Sequence, residues 1–148
     1  MIRFRDATRA DVPAIVALLT DDALGATREG NDLAPYLAAF DAMQAERGNT
    51  LVVGEAGARV VATYQFTVIS GLSLRASRRA QVESVRVATD LRGQGIGAAM
   101  FADAEARARA AGCRLMQLTM NAARHDARRF YESLGFTPSH IGFKRDLY

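Results

Sequence analysis

A chain of 148 residues has room for one compact domain, which we expect to span residues 1–148, and is too short for two ordinary domains. Its 49% hydrophobic and 24% charged residues are typical of a soluble globular protein, and no apolar run reaches the roughly 18 residues that a membrane span needs. The net charge of +3 comes from 19 basic residues scattered among 16 acidic ones, without a nucleic-acid-binding motif, so we expect no specific nucleic-acid partner.

Single residue types exclude two further classes of protein. The only cysteine, Cys113, cannot form an internal disulfide, and the two histidines, His125 and His140, show no zinc-binding spacing, so we expect neither a disulfide scaffold nor a metal site. The start of the chain contains Asp6 and Asp11 and does not resemble a signal peptide. We therefore expect a cytoplasmic protein that does not associate with membranes.

The first half of the chain predicts a strand, two helices and a hairpin, in that order. Alternating side chains in "IRFRDA" indicate a strand over residues 2–6, and Thr8 followed by Asp11 resembles a capping box that starts a helix over "VPAIVALLTDD". Glycines and polar residues indicate a loop over residues 21–34, before a second helix over residues 34–46. Two β-rich runs then indicate a hairpin, "TLVVGEA" and "RVVATYQFTVIS".

The second half alternates strands with helices. The predicted elements are a strand over "AQVESVRVA", a helix over "IGAAMFADAEARARAAG", a strand over "RLMQLTM", a helix over "DARRFYESL" and a last strand over "IGFKRDLY". Gly112 and Gly135 are expected to end the two helices. The complete order predicts an α/β fold in which a mixed (α+β) sheet has helices on both faces.

The segment "TDLRGQGIGAAM" places three glycines between a predicted strand and a predicted helix. Free N–H groups at a helix N-terminus, aided by the helix dipole, bind anions such as phosphate. Gly93, Gly95 and Gly97 would let a pyrophosphate approach the backbone, and Arg92 would add a charged contact. An ordinary tight turn is the alternative. A dinucleotide fold is not supported because the next strand lacks the acidic residue it needs, and a P-loop is not supported because no lysine is near.

Two motifs in the second half resemble those of one known family. The run Arg92-Gly93-Gln94-Gly95-Ile96-Gly97 is similar to the acetyl-CoA signature Arg/Gln-x-x-Gly-x-Gly/Ala of the GNAT superfamily of N-acetyltransferases. The block "ARRFYESLGF" resembles the second hallmark of that family, a helix with a tyrosine before Leu-Gly-Phe. Because both motifs occur in the family's order, with a strand between them, the chain resembles a single-domain bacterial member over essentially its whole length.

The resemblance implies acetyl-CoA as co-substrate and a strand "VESVRV" that is splayed from its parallel neighbour "LMQLTM". The backbone of Val85 and Val87 would then pair with the pantetheine amides, as an added strand would. Many relatives have an asparagine seven residues before the tyrosine, where this chain has Arg124, with Asn121 nearby. The residues placed at the acetyl-CoA site are Val85, Arg86, Val87, Arg92, Gly93, Gln94, Gly95, Ile96, Gly97, Ala98, Asn121 and Arg124.

Two residues are candidates for acid–base catalysis. The resemblance makes Tyr131 the acid that protonates the departing thiolate; helix spacing alone favours a core aromatic packed with Phe130 and Phe136. Glu83 is the candidate base, since a carboxylate among apolar neighbours is costly to bury and has a raised pKa. Its alternative is a strand-end residue paired with a nearby arginine, Arg75 or Arg86. His125 and His140 are expected at the surface, and Cys113 is expected to be a small core residue.

The acceptor is expected to bind to the first half of the chain, where Asp21, Asp22, Glu29 and Asp32 could attract a cationic amine, although charges on such a loop are usually only solvated. The sequence thus predicts an N-acetyltransferase that transfers the acetyl group of acetyl-CoA to a primary amine, by direct attack in a ternary complex. The acceptor would be a small molecule or a peptide, and a homodimer is compatible with the family. The alternative is a non-catalytic acyl-CoA-binding sensor or regulatory module.

Overall fold

A computed structural model describes residues 1–21 and 25–148. The strands are β1 (Arg3–Asp6), β2 (Asn49–Ala56), β3 (Arg59–Ile69), β4 (Arg79–Val87) and β5 (Leu115–Leu118). The helices are α1 (Val12–Thr20), α2 (Gly25–Arg28), α3 (Ala34–Ala45), the single turn α4 (Ser73–Ala76), α5 (Ile96–Ala110) and α6 (His125–Ser133). Short 3₁₀ turns cover Arg9–Asp11 and Thr89–Leu91.

The five strands form one sheet in the order β1-β2-β3-β4-β5. Neighbouring strands from β1 to β4 run antiparallel, as short connections allow, whereas β4 and β5 run parallel because α5 makes the crossover between them. The predicted mixed sheet is therefore confirmed.

Each face of the sheet packs on its own set of helices, because side chains alternate along a strand. The larger core lies against α5 and contains Tyr64, Val82 and Met100, whose side chains are almost completely buried. The smaller core joins Val53 of β2 to α1 and α3, through residues such as Phe40. Helices thus cover both faces, as the order of the elements predicted.

The predicted capping box at the start of the first helical segment is present. Thr8 donates its backbone N–H to Asp11 Oδ2 at 2.7 Å, and Arg5 donates to both carboxylate oxygens of Asp11 at 2.7 and 2.9 Å. Arg5 also binds Glu55 at 2.7 Å. The guanidinium of Arg5 lowers the pKa of Asp11 to about 2, so this buried carboxylate stays ionised and fixes the entry to α1.

Two expectations about the fold are wrong. The segment "IGFKRDLY" is not a strand, and residues 137–148 are exposed with no regular secondary structure, because their backbone finds no strand to pair with in this chain. The region over residues 21–34 is not only a loop, since Gly25–Arg28 forms one helical turn. Within the described ranges, no helix is both long and apolar enough to cross a membrane.

Candidate active site

The parallel strands β4 and β5 separate halfway along β4. Their pairing runs from Arg79 opposite Leu115 to Val82 opposite Leu118, where β5 ends, while β4 continues to Val87. The backbone of the last five residues of β4 therefore lies beside a gap on the β5 side. This is the splay that the family resemblance implied.

A bulge in β4 sits at the start of the gap. Gln65 of β3 pairs with Glu83 and Thr63 pairs with Arg86, so two residues of β4 stand opposite one residue of β3. One of the two, Ser84, has a left-handed φ of +53°. Bulges bend and re-aim a strand, and this one redirects the end of β4 away from β5. Sequence reasoning missed it, because a serine in a β-rich run gives no signal for a bulge.

The carbonyl groups along the separated part of β4 are in contact with arginine side chains. Arg86 Nη1 donates to the carbonyl of Val85 at 2.9 Å, and Arg92 Nε donates to the carbonyl of Val87 at 3.3 Å. These are the carbonyls expected to pair with pantetheine amides. A ligand that binds β4 as an added strand would replace these side-chain contacts.

Two glycines shape the loop that starts α5. Gly93 and Gly95 have φ values of +77° and +82°, in the left-handed region that side chains with a Cβ rarely adopt. Gly95 is the N-cap, and its carbonyl accepts the first helical hydrogen bond from Ala99 at 3.1 Å. The N–H groups of Ile96, Gly97 and Ala98 precede that bond and point along the helix axis towards the loop, which suits an anion such as a pyrophosphate.

Gly97 has a different role in packing. A Cβ built on Gly97 would lie 2.9 Å from Cζ of Phe130 in α6, closer than real Cβ contacts allow. The third glycine of the motif thus permits close packing of α5 against α6, which the sequence alone did not reveal.

Polar contacts hold the loop between β4 and α5. Asp90 forms a two-point ion pair with Arg59, with both bonds at 2.8 Å. The backbone carbonyl of Asp90 also accepts a long hydrogen bond of 3.5 Å from the side-chain Nε2 of Gln94. Asp21 accepts a 2.5 Å bond from the hydroxyl of Thr89, and its carbonyl accepts from Arg92 at 3.1 Å. The side chains of Arg92 and Gln94 are exposed and are positioned to contact a ligand at the loop.

Tyr131 lies in a cluster of aromatic rings. Its ring centroid is 5.5 Å from that of Phe101, 5.4 Å from that of Phe130 and 6.2 Å from that of Phe136. The packing partners expected from helix spacing are therefore present. Burial raises the pKa of Tyr131, while the positive charges of Arg124 and Arg86 act in the opposite direction. Tyr131 packs against the larger core, as do Val85 and Val87 of the separated end of β4.

Glu83 lies beside two residues that line a small cavity. It is exposed, so the expectation that it is buried among apolar neighbours is wrong. Its cross-strand partner Gln65 and its neighbour Ser84 line a cavity of about 120 Å³ between the sheet and helices α1 and α3. The other side chains of the cavity are mainly apolar and include Leu19, Tyr36, Phe40 and Met43.

The turn before α6 contains the last two predicted acetyl-CoA contacts. Asn121 Oδ1 accepts from the backbone of Ala123 at 2.9 Å, so its side chain shapes the turn. Arg124 is the N-cap residue of α6, the helix that carries Tyr131, and its positive charge opposes the rise in the pKa of Tyr131. Arg124 is partly buried, whereas Asn121 is exposed.

The acidic residues proposed for amine attraction take part in local structure. Glu29 accepts from the hydroxyl of Tyr36 at 2.9 Å, and Asp32 accepts from the backbone of Ala34 at 3.1 Å. Asp21 binds Thr89, as described above, and Asp22 lies outside the described residues. These contacts favour a structural role for the three described acids.

The two histidines and the cysteine differ in exposure. His125 and His140 are exposed, as expected. Cys113 is half-buried and packs against the larger core, and burial raises the pKa of its thiol. In the described part of the chain, no group of three or more His, Cys, Asp or Glu residues is arranged to hold a metal ion.

Comparison with known proteins agrees with this geometry. The model of the Acetyltransferase (GNAT) family matches residues 14–136. A crystal structure of a transcriptional regulator from Bacillus halodurans C-125 superposes with a TM-score of 0.95 and 39% identity, covering 99% of this chain and 100% of that one. A structure with acetyl-CoA from Clostridium acetobutylicum shares the fold, with a TM-score of 0.77, 18% identity and coverage of 99% and 97%.

A shorter match links the chain to an enzyme. Over 67 residues it is 40% identical to the aminoalkylphosphonate N-acetyltransferase of Salmonella typhimurium, which is 45% of this chain and 44% of that protein. The match thus spans less than half of this relative. The family model, by contrast, covers most of the chain, and the chain therefore belongs to the GNAT family of acetyltransferases.

Proposed function

We propose that this protein is an acetyl-CoA-dependent N-acetyltransferase that acetylates a primary amine by direct attack in a ternary complex. The observation that carries the proposal is the gap between β4 and β5, which is followed a few residues later in the chain by the glycine-capped start of α5. A strand-like ligand arm and an anion would fit this gap and this helix end side by side. The C. acetobutylicum structure, which shares this fold, contains acetyl-CoA.

The residues present fit acetyl-CoA as co-substrate. The N–H groups of Ile96, Gly97 and Ala98 would hold the pyrophosphate, aided by Arg92, and the backbone of Val85 and Val87 would pair with the pantetheine. Acetyl-CoA supplies the acetyl group as a thioester, whose carbonyl needs a hydrogen-bond donor while charge develops on it. A backbone N–H of β4 beside the gap is the donor that we assign.

Proton transfer is assigned to two residues, Glu83 and Tyr131. Glu83 is exposed, its neighbour Ser84 lines the acceptor cavity, and Glu83 would accept the proton of the attacking amine through water. Tyr131 would donate its proton to the leaving sulfur, and the raised pKa of Tyr131 keeps the phenol protonated at neutral pH. No covalent acyl-enzyme is needed, because both substrates meet at the same strand.

We place the acceptor in the cavity between α1, α3 and the sheet. Its lining is mainly apolar and includes Gln65 and Ser84, the strand partner and the chain neighbour of Glu83, and this lining suits a small amine with an apolar part. The Salmonella relative is named for an aminoalkylphosphonate, a substrate class that contains an amine, which supports amine acetylation in general. The same lining also admits the N-terminal residue of a peptide.

The test is a thiol-release assay with acetyl-CoA against a panel of amines, amino acids, peptides and polyamines. Thiol release that depends on one amine class, with the acetylated amine identified by mass spectrometry, is the expected result. Initial rates at varied concentrations of both substrates should give intersecting lines. Parallel lines in double-reciprocal plots would instead indicate an acyl-enzyme and contradict the ternary complex.

A second function, a non-catalytic acyl-CoA-binding regulator, is favoured by one observation. The relative from B. halodurans, which matches the full chain, is described as a transcriptional regulator. Such a protein would need the glycine loop and the gap, but not Glu83 or Tyr131. It would show a melting temperature that rises with acetyl-CoA, no thiol release with any amine, and unchanged acetyl-CoA binding after Tyr131→Phe.

A further inference from the structure

A short chain of hydrogen bonds leads from the C-terminal end of α3 to Gln65, one of the residues that line the acceptor cavity. Glu46 Oε2 accepts from Asn49 Nδ2 at 2.7 Å, and Asn49 Oδ1 accepts from Gln65 Nε2 at 2.9 Å. A carboxylate only accepts hydrogen bonds, so the contact with Glu46 fixes which end of each amide faces its neighbour. Gln65 therefore turns its nitrogen to Asn49 and keeps its carbonyl oxygen, Oε1, for another partner.

The oxygen Oε1 of Gln65 is available to a ligand. In the described part of the chain, no group donates a hydrogen bond to it, and solvent reaches the atom. The side chain is half-buried and lines the acceptor cavity, so this oxygen is open to a molecule bound there. A held oxygen that only accepts hydrogen bonds selects a ligand with an N–H or O–H group.

Glu83 stands directly opposite Gln65 on the neighbouring strand β4. Directly opposite residues of antiparallel strands have their side chains on the same face of the sheet, with Cβ atoms roughly 4.5–5.5 Å apart. The carboxylate proposed as the base and the amide oxygen of Gln65 are therefore neighbours. Two neighbouring groups that accept hydrogen bonds suit a primary amino group, which has two N–H bonds, better than a hydroxyl group, which has one O–H bond.

The rest of the cavity would surround the body of the ligand. The lining from α1 and α3 is apolar apart from the hydroxyl of Tyr36. That hydroxyl is already bonded within the protein, since it donates to Glu29 Oε2 at 2.9 Å and accepts from the backbone N–H of Gly30 at 2.8 Å. None of the described residues that line the cavity is charged. A second charge on the ligand would be buried there without a partner, which is costly.

We propose that the acceptor is a monoamine with an uncharged, apolar body, and that Gln65 Oε1 holds its amino group next to Glu83. This assignment rests on the proposed function, because it specifies the acceptor of that reaction. Asn49 is a positioning residue, since it acts on the amine only through the orientation of Gln65.

The proposal fixes the fate of both amine protons. The amine nitrogen bonds to the acetyl carbon as the C–S bond breaks, one amine proton passes to Glu83 through water, and the sulfur takes a proton from Tyr131. Glu83 then releases its proton to water, and Tyr131 regains one from water. The second N–H remains on Gln65 Oε1 and becomes the N–H of the acetylated amine.

The first experiment extends the thiol-release panel with isopentylamine, putrescine, aminoethylphosphonate and isopentyl alcohol. Isopentylamine should have a kcat/KM roughly tenfold or more above those of putrescine and aminoethylphosphonate, which carry a second charge, and the alcohol should release less thiol than the amine. If the best acceptor of the whole panel carries a second charged group, this proposal is overturned and the proposed function stands. If no amine releases thiol, both are overturned.

The second experiment measures the KM values of both substrates in variants of the hydrogen-bond chain. Gln65→Met keeps a side chain of similar length and removes the oxygen, so the KM of the amine should rise roughly tenfold, for one lost hydrogen bond, while the KM of acetyl-CoA is unchanged. Asn49→Leu should raise the KM of the amine by less. Adding Asn49→Leu to Gln65→Met should raise it no further, because the two residues act as one unit.

The matched control is Gln117→Met in β5. The amide of Gln117 is also half-buried and donates to a second amide, Gln81 Oε1 at 2.7 Å, but Gln117 does not line the acceptor cavity. This variant should keep both KM values, with circular dichroism as the check on folding. A wild-type KM for the amine in folded Gln65→Met and Asn49→Leu proteins, or an equal rise in both KM values, would overturn the role of Gln65 while amine acetylation by the wild type still supports the proposed function.

Discussion

Two tyrosines belong to the larger core, on the α5 side of the sheet, and they differ in what their hydroxyl groups contact. Tyr64 is fully buried, and its hydroxyl donates to Asp103 at 2.5 Å. Asp103 in turn accepts from Arg107 at 2.8 Å, and Arg107 binds Asp6 at 2.6 Å. Burial is the main reason why the pKa of Tyr64 is raised, and the hydrogen bond to Asp103 adds to it.

Tyr131 is only partly buried; burial raises its pKa too, but its surroundings are aromatic rings and the positive charges of two arginines. Phe101, Phe130 and Phe136 hold the ring, and the positive charges of Arg86 and Arg124 act on the phenol. Among the described residues, no hydrogen bond of its hydroxyl is found. A tyrosine whose hydroxyl donates its proton to a carboxylate has a structural role. A tyrosine whose ring is packed but whose hydroxyl has no such acceptor is available to donate its proton to a ligand.

The comparison predicts the largest effect at Glu83, the carboxylate proposed as the catalytic base. Glu83→Gln should lower kcat roughly 10²- to 10⁴-fold at neutral pH while acetyl-CoA affinity is unchanged, because a positioned base is lost. Part of the loss should return at high pH, where the amine is already deprotonated. The matched change at the structural tyrosine, Asp103→Asn, should alter the melting temperature and leave kcat near that of the wild type. Equal kcat values for both variants would end the distinction between the two regions.

The next effect concerns the glycine loop. Gly95→Asp should weaken acetyl-CoA binding by several kcal/mol, well beyond the ~1 kcal/mol of a simple glycine effect on folding, because a carboxylate would stand where N–H groups meet phosphate. The control is Gly57→Asp in the β2–β3 hairpin, which also has a left-handed φ, +61°, and nothing within 4 Å of an added Cβ. Isothermal titration calorimetry should show normal affinity in the control. Unchanged affinity in a folded Gly95→Asp protein would remove the loop from the site.

A smaller effect on kcat is expected from a substitution of Tyr131, the tyrosine proposed as the acid. Tyr131→Phe keeps the ring contacts and removes the proton, so kcat should fall roughly 10- to 100-fold, since a CoA thiol leaves fairly well without help and the gain from an acid stays near the lower limit. The melting temperature and the acetyl-CoA affinity should stay close to the wild-type values. A drop in melting temperature with normal kcat would assign Tyr131 to the core alone.

The smallest effect is expected at Tyr64. Tyr64→Phe should cost about 1 kcal/mol of unfolding free energy, for one lost hydrogen bond, and should leave kcat unchanged. Because the pKa of Tyr64 is raised, its contribution is complete below the unfolded pKa of about 10 and is lost as the pH rises above it. Chemical denaturation should therefore show that the variant loses less stability than the wild type between neutral and strongly alkaline pH. A variant that is equally sensitive to alkali would contradict this assignment.

Most of the fold follows from local patterns. The alternation in β2 and β3, the capping box at Thr8 and the glycine before α5 are local signals, and the elements they predict are present. The last strand was not obtained because a strand needs a partner, and pattern alone does not say whether the partner lies in the same chain.

The site was predictable where a motif fixes the backbone and unpredictable where burial decides. The left-handed Gly95 belongs to the motif, but neither the bulge at Ser84 nor the exposure of Glu83 leaves a trace in sequence. The uses of Glu29 and Asp32 likewise depend on partners that are known only after folding, Tyr36 and the backbone of Ala34.

The tight contact between Gly97 and Phe130 has a consequence for related sequences. Phe130 precedes Tyr131 in α6, so a side chain at position 97 would push on the helix that holds Tyr131, the proposed acid, rather than on the proposed phosphate site. Homologues that tolerate alanine at this position should therefore have a smaller residue at position 130, and the two sites should change together during divergence. Gly97, the last glycine of the cofactor signature, would then vary together with the residue at position 130, which lies thirty-three residues further along the chain.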